Sequence, residues 1–392
     1  MTQPAPPPDN PLPRSLWALM MGNFVIGTGV MVVPGTLNDI SASLNVSIPQ
    51  AGQLITAAAI LMGLGAPAFA TLVAGWDRRR LLTLSLVWYA LLTAICALAP
   101  SYATLLPLRV LAVIAPAVFT PQAAASVGLL VSPAQRGRAI TFVFLGWSVA
   151  SVMGMPLSAW IGGTLGWRWA FGLVALMSLV SAAWVWREMP NGIRPAALSR
   201  QAWGQTLGSA PLMLAVGVTL LSAFGQFTLF SYFAPYFFQT LGLGGAALSL
   251  MFLWFGAFGL AGNVGLSRWI DRIGAPRAVL LTLGAMVLTL LLWPLGQAGI
   301  WQQALVLVPW ALGCFACNSA QQARLVHLSP ALAPATVALN TSAMYGGQAL
   351  GAALGGILIA QGHMLRLHQV GLVVLILAMA LSVWAARAQK RS

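Results

Sequence analysis

The chain is 392 residues long, 59% apolar and only 6% charged, and it still carries a formal net charge of +14. Soluble domains devote about a quarter of their residues to Asp, Glu, Lys and Arg, so this composition excludes an ordinary soluble fold. The basic residues fall in separate short stretches rather than on one compact surface, which argues against nucleic acid as a partner. The only lysine is Lys390, which leaves no phosphate-binding GxxxxGK loop for an ATP-driven pump and no Schiff-base lysine within a span.

A hydrocarbon core about 30 Å thick needs roughly 20 apolar residues in a helix. Runs of that length recur twelve times, at 15–37, 51–73, 81–99, 103–130, 139–162, 167–186, 209–236, 245–267, 278–297, 302–326, 335–360 and 367–386. The first is longer than a signal-peptide core and ends without a small-residue cleavage site, so it reads as a retained span. The expected fold class is an all-α membrane protein of twelve transmembrane helices. Residues 1–14 are Pro-rich and expected to be a disordered cytoplasmic N-terminus.

Lys and Arg resist translocation, so gaps rich in them stay in the cytoplasm. One alternate set of gaps holds Arg14; Arg78, Arg79 and Arg80; Arg136 and Arg138; Arg187, Arg194 and Arg200; Arg268, Arg272 and Arg277; Arg324; and Arg387, Lys390 and Arg391, sixteen of the nineteen. The other set holds Arg168 and Arg366, and Arg109 stands alone inside the fourth run. A multi-pass protein of the inner (cytoplasmic) membrane with both termini cytoplasmic follows, the tail being 387–392. Cys96, Cys314 and Cys317 all lie inside apolar runs, so no extracytoplasmic disulfide framework and no metal site is expected.

The widest basic gap, 187–208, divides the runs into six and six, giving bundles at 15–186 and 209–386 joined by a cytoplasmic linker. The halves echo each other. Asp77-Arg78 after the second run is matched by Asp271-Arg272 after the eighth, a shift of 194, and Ser132-Pro133-Ala134 by Ser329-Pro330-Ala331, a shift of 197. Two landmarks at nearly one spacing indicate a fused or duplicated six-helix bundle, a construction common in secondary transporters.

With Gly75 ahead of Asp77-Arg78 and Gly265 ahead of Asp271-Arg272, these loops resemble the signature loop of the major facilitator superfamily. The resemblance covers residues 15–386 and is strongest to the twelve-span drug:proton antiporter branch, which also contains sugar and nucleoside exporters. It implies two pseudo-symmetric six-helix bundles around a central cavity that opens alternately to each side. The first loop is contracted, lacking the glycine that follows the Asp-Arg pair in the family, whereas the second keeps Gly274. Such loops are expected to act as a conformational latch, Asp77, Arg78, Asp271 and Arg272 joining helix dipole and facing arginines in one state.

A charge inside the bilayer costs at least about 2.5 kcal/mol on insertion scales, so an intramembrane ionisable residue is a functional candidate. Arg109 matches the arginine of the superfamily's fourth-helix motif, linked in relatives to proton coupling; the motif's following glycine is not evident here. Seven residues from Tyr102 at 1.5 Å each place it about 10 Å below the outer boundary. An arginine satisfied by backbone carbonyls of the first segment is the alternative. Drug:proton antiporters commonly carry a carboxylate midway along the first or fourth helix, but the five acids here, Asp9, Asp39, Asp77, Glu188 and Asp271, all lie at run ends or in gaps. Asp39 is the nearest candidate for proton coupling or substrate charge, and Arg109, if close, would lower its pKa and hold it charged.

Gly154 and Pro156 in the fifth run resemble the antiporters' Gly-Pro motif and are expected to form a helix pivot. As the resemblance implies, the substrate cavity is expected between runs 1, 4, 7 and 10, with help from 5, 8 and 11. Its candidate polar lining is Asn23, Gln122, Ser148, Gln226, Tyr232, Tyr236, Asn318, Gln321, Gln322, Tyr345 and Gln348, each of which could equally bond neighbouring helices. With no acidic cluster, the ligand is expected to be uncharged or weakly charged.

These readings point to a secondary active transporter working by alternating access, exporting a small amphipathic drug or sugar-like metabolite by proton antiport. The alternatives are an importer or uniporter of a neutral solute, and a membrane sensor or enzyme. An enzyme would need converging acid, base or metal groups, and these runs offer one arginine without a clear partner. No catalytic residues and no cofactor are expected; the partners are the lipid bilayer, a small-molecule substrate and protons, and the chain is expected to be a monomer.

Overall fold

The computed structural model describes residues 13–73, 75–132, 135–194, 200–329 and 332–389. They form sixteen α-helices: α1 Arg14–Gly35, α2 Leu37–Leu44, α3 Ile48–Leu72, α4 Arg78–Ala97, α5 Tyr102–Ala112, α6 Ile114–Leu130, α7 Arg136–Leu165, α8 Trp167–Glu188, α9 Arg200–Gly208, α10 Ala210–Phe230, α11 Phe233–Leu241, α12 Gly245–Ile273, α13 Ala275–Gly296, α14 Ile300–Leu328, α15 Ala333–Ala360 and α16 Leu367–Gln389. Within the described residues twelve stretches are long and apolar enough to cross a membrane. The even count brings both described ends of the chain to one face, called here the terminal face.

Two spans are broken where proline dictates. Pro116 would clash with the carbonyl four residues back, and the fourth span is interrupted at Val113, between α5 and α6. Pro235 acts likewise on Ser231, and the seventh span breaks at Ser231 and Tyr232, between α10 and α11. Its far end therefore reaches Leu241, beyond the expected limit at 236. The residues after the first span, instead of a plain loop, form the short helix α2, which carries Asp39 in its first turn.

Turn chemistry repeats between the halves. Gly166 separates α7 from α8 at φ 96°, and Gly362 follows α15 at φ 77°, a left-handed region open to glycine. The two are 196 residues apart, in line with the loop repeats. The α5 start is fixed by a capping box, the Ser101 hydroxyl accepting from the Thr104 amide while Thr104 answers to Ser101.

In the first half α1 packs along α7 and α8, and α4 along α8 and α6; in the second, α10 packs against α15 and α16, and α13 against α14. The halves meet along two seams, α3 with α15 and α7 with α12. At the face opposite the termini the seams are tight. A Cβ on Gly163 would come within 2.9 Å of the Gly245 Cα, and one on Gly52 would strike the Tyr232 hydroxyl. The Ser249 hydroxyl donates across the second seam to the Pro156 carbonyl at 2.7 Å. Toward the terminal face α12 loosens, with Val264, Arg268 and Trp269 all exposed.

Candidate functional site

Between α1, α3, the α5–α6 break and α15 lies a cavity of about 10 Å³, room for about one water-sized atom. Arg109 of the first half and Gln348 of the second are its polar lining; Val30, Val33, Leu54, Ile55, Ala58, Ala59, Met62 and Val113 make the rest apolar. Tyr345, one helical turn from Gln348, packs into the same apolar cluster with Val30, Met62 and Val113. Three of the residues singled out in the sequence, Arg109, Tyr345 and Gln348, are thus brought together where the halves face each other.

Arg109 is 2% exposed and donates through one guanidinium nitrogen to the Gly29 carbonyl of α1 at 2.9 Å. Its Nε and other terminal nitrogen have no partner. The Phe171 ring lies 5.9 Å from the guanidinium carbon. Tyr89 and Cys96 of α4 stand within electrostatic reach, the neutral Tyr89 hydroxyl close beside the guanidinium. Gly29 lets the helices come this close, since a Cβ there would strike the Tyr89 hydroxyl. The carbonyl partner is the structural alternative foreseen for this arginine, but it satisfies only one of the guanidinium's nitrogens.

The expectation that Arg109 is the single basic side chain inside a span is corrected by Arg324. Counted with the gap after the 302–326 run that contains it, Arg324 lies inside α14, which continues to Leu328; it is 1% exposed, donating to the Ser382 hydroxyl at 3.1 Å and the Ser382 carbonyl at 3.4 Å of α16. It belongs to no loop.

Asp39 does not approach Arg109, so the expected downward pull on its carboxyl is absent. It lies at the far junction instead, where a Cβ on Gly162 of α7 would come within 2.7 Å of its Oδ2. Burial holds the carboxyl above the usual carboxylate range, against the lowering effect of its own backbone hydrogen bond. The nearby cation on α8, Arg168, is engaged elsewhere, with the Ser43 hydroxyl at 3.1 Å and the Ala99 carbonyl at 2.9 Å.

Most of the remaining polar candidates sit in bonds between or within helices. In the first half Asn23 donates to the Val143 carbonyl at 3.1 Å and accepts from Thr120 at 2.9 Å, and the Trp147 indole donates to Thr120 at 3.2 Å. In the second, Thr219 donates to Asn340 at 2.6 Å, Asn340 to Asn318 at 3.2 Å, and Gln321 to Thr219 at 3.0 Å and the Ala215 carbonyl at 2.8 Å. These two clasps occupy equivalent places: Asn23 and Thr219 are 196 residues apart, Val143 and Asn340 197. Gln226 bonds Ser222 of its own helix at 3.2 Å. Gln122 is buried, its backbone carbonyl accepting from Ser126, while Ser148 and Gln322 are half-buried.

Tyr236 lies in the aromatic core of the second half, accepting from the Trp293 indole at 2.8 Å and Gln297 at 3.0 Å. Tyr232 stands at the far junction, its hydroxyl donating to the Ala352 carbonyl at 2.7 Å and its ring against Gly52, Gly355 and Gly356. Of the pivot pair, Gly154 lies against α1, a Cβ there falling 3.0 Å from the Thr28 Cα, and Pro156 carries the cross-seam bond from Ser249.

Of the loop residues, Asp77 caps α4, accepting from the Arg80 amide at 3.2 Å and from the Gly192 amide at 2.6 Å. Arg78 is buried, donating to the Val73 and Trp76 carbonyls, its amide bonded to the Ile193 carbonyl. These partners tie the loop to the segment after α8, on its own half. Arg272 is exposed near the end of α12, and the Asp271 side chain lies outside the described residues, as do Pro133, Ala134, Pro330 and Ala331 of the repeated tripeptides. Sequence reasoning missed Tyr89, Thr120, Trp147 and Ser382, which look like ordinary span residues until their neighbours are known.

The family model of the Major Facilitator Superfamily matches residues 19–352. The inner membrane transport protein YdhP of Escherichia coli strain K12 is 29% identical over 380 residues, covering 95% of this chain and 96% of that one. The chloramphenicol resistance protein of Streptomyces lividans is 32% identical over 348 residues, 86% of this chain and 88% of its own. Among solved structures, a D-xylose-proton symporter superposes with a TM-score of 0.74 at 17% identity, covering 94% of this chain and 96% of the other. The chain belongs to the Major Facilitator Superfamily and is a multi-pass membrane transporter, not an enzyme.

Proposed function

We propose that this member of the Major Facilitator Superfamily exports a small amphipathic compound, drug-like or sugar-like, from the cytoplasm across the inner membrane by proton antiport, with both termini on the cytoplasmic side. The observation that carries the reading is the seam cavity where Arg109 of one half faces Gln348 of the other, between bundles closed at the far face and looser toward the termini. A site shared by two halves changes shape when they rock, which is what alternating access requires. Export is favoured by the likeness to a chloramphenicol resistance protein, and the arginine bias toward the terminal face supports a cytoplasmic position for that face.

In this reading Tyr232 and the Gly163–Gly245 contact close the outer gate, Gly154 and Pro156 form the pivot against α1 and α12, and Asp77 with Arg78 anchors the first loop to the linker, while Asp271 and Arg272 serve the second. Asp39, half-buried at the outer junction and inclined to hold its proton, is the carboxylate placed to meet protons from outside. The test is efflux from proteoliposomes holding the purified protein, run over a panel of drugs and sugars with and without an imposed pH gradient. Gradient-driven extrusion of at least one compound is expected. Equilibration indifferent to the gradient would make the protein a uniporter.

A further inference from the structure

We infer that Arg109 takes its counter-charge from outside the chain: a monoanion offering one small acceptor atom, seated in the cavity between the guanidinium and Gln348. For the cargo this deepens the transport reading above and rests on it. A buried guanidinium is costly without compensation, and unlike a lysine an arginine does not escape the cost by shedding its proton. Arg109 has the Gly29 carbonyl as partner and the neutral Tyr89 hydroxyl beside it, and neither supplies a counter-charge; its Nε and other terminal nitrogen lack a partner within full hydrogen-bond geometry. Among the described residues no carboxylate contacts it; Asp39 lies at the far junction against α7, and Asp77 in the loop before α4, bonded to the Gly192 amide.

The seat has the chemistry of an anion site. Gln348 adds a side-chain amide from the facing half, while the apolar Val33, Met62 and Val113 lower the local polarity and so strengthen the guanidinium's pull on an anion and its repulsion of a cation. Its volume admits one acceptor atom, so the ligand enters by a carboxylate oxygen or is a halide. Two sources share that chemistry, the head of an amphipathic carboxylate cargo and inorganic chloride. Because the seat spans both halves, filling it also holds the seam closed.

The experiment follows thermal unfolding of the purified full-length protein in detergent, in a methanesulfonate buffer, on titrating chloride, benzoate, benzamide or benzylammonium. Anions that bind only the folded state raise the midpoint steadily with the logarithm of their concentration, by about 2–5 °C at a hundredfold excess over Kd. We expect that rise with benzoate, chloride or both, none with benzamide or benzylammonium, no anion response in Arg109→Gln, and an unchanged response in Arg324→Gln. Gln348→Leu, which leaves the guanidinium in place, should weaken the response about tenfold in concentration should Arg109→Gln fail to fold. Benzoate alone assigns the seat to the cargo head, and chloride alone to a resident counter-ion. No anion response in the wild type, equal responses to benzamide, or a response that survives both Arg109→Gln and Gln348→Leu overturns the inference. Binding that persists where no compound is extruded would sink the export reading and leave the anion seat standing; extrusion without any anion response would do the reverse.

Discussion

Arg109 and Arg324 lie on the fourth span of their respective halves, 2% and 1% exposed, and they are used in opposite ways. Arg324 turns inward on its own bundle and ties α14 to Ser382 of α16 through two hydrogen bonds. Arg109 keeps two nitrogens unbonded and lines the gap between the bundles. Burial of a charge therefore does not identify a working residue by itself. What separates the two is where the unmet hydrogen-bonding capacity points, and whether the opposite half supplies the other wall.

The largest effect should come from exchanging their fates. Arg109→Gln is expected to cut transport at least about tenfold, the factor that 1.4 kcal/mol of lost stabilisation produces, while the protein still reaches the membrane. Arg324→Ala should instead destabilise the second half by about 2–4 kcal/mol through a cavity and an orphaned serine, with transport per folded molecule retained. Quantitative efflux normalised to folded protein, beside unfolding midpoints, reads both. Equal transport loss in the two variants would erase the distinction between a seam arginine and a staple arginine.

A second contrast lies at the far junction, where Tyr232 is held between Gly52 of the first half and Gly355 of the second. Gly52→Leu puts a side chain where the Tyr232 hydroxyl now sits, so the outer gate should fail to close. Exchange is expected to fall severalfold, with a Ser249→Cys probe on the second seam of the same face labelled faster by impermeant reagents while Tyr232 is kept; the native Cys96, Cys314 and Cys317 are all buried and leave that signal clean. Unaltered labelling would mean that this glycine is packing only.

The paired clasps give a smaller effect. Asn340→Ala removes the centre of the chain from Thr219 to Asn318, and Asn23→Ala the link from α1 to α7. Each should cost about 1–2 kcal/mol, within the range for orphaning a buried hydrogen-bond partner. Similar losses in both variants, seen as lowered unfolding midpoints with KM for the transported compound unchanged, would confirm the clasps as equivalent structural parts. A KM change confined to one would return that asparagine to the substrate path.

The contrast between arginines also marks what sequence alone could reach. Twelve spans, the six-and-six division and the candidacy of Arg109 were legible because hydropathy, charge alternation and repeat spacing are properties of the chain itself. Arg324, although inside the tenth run at 302–326, was counted with the gap that follows, since hydropathy does not report how far packing and capping carry a helix. Asn23 and Gln321 bear the same polar side chains whether they face a cavity or a neighbouring helix, and only the position of Thr120 or Thr219 decides. Tyr89 gave no signal: its place beside Arg109 depends on Gly29 and on how closely α1, α4 and α5 approach.

Asp39 yields the subtlest test, because its effect is a slope rather than a loss. Its carboxyl is held above the usual range by burial against α7, so the folded protein keeps the proton at pH values where the unfolded chain has released it. Stability then falls as pH rises from about 3.9, the ordinary Asp value, through the raised folded-state value, and that part of the slope is absent outside the window. Asp39→Asn, which imitates the protonated form, should remove this component: the variant's unfolding midpoint should exceed the wild type's on the alkaline side of the window and converge with it on the acid side. The same substitution should leave the outer gate closed at neutral pH and weaken the dependence of efflux on the pH gradient. Parallel stability profiles for the two proteins would remove Asp39 from proton coupling and leave the far junction a purely steric closure.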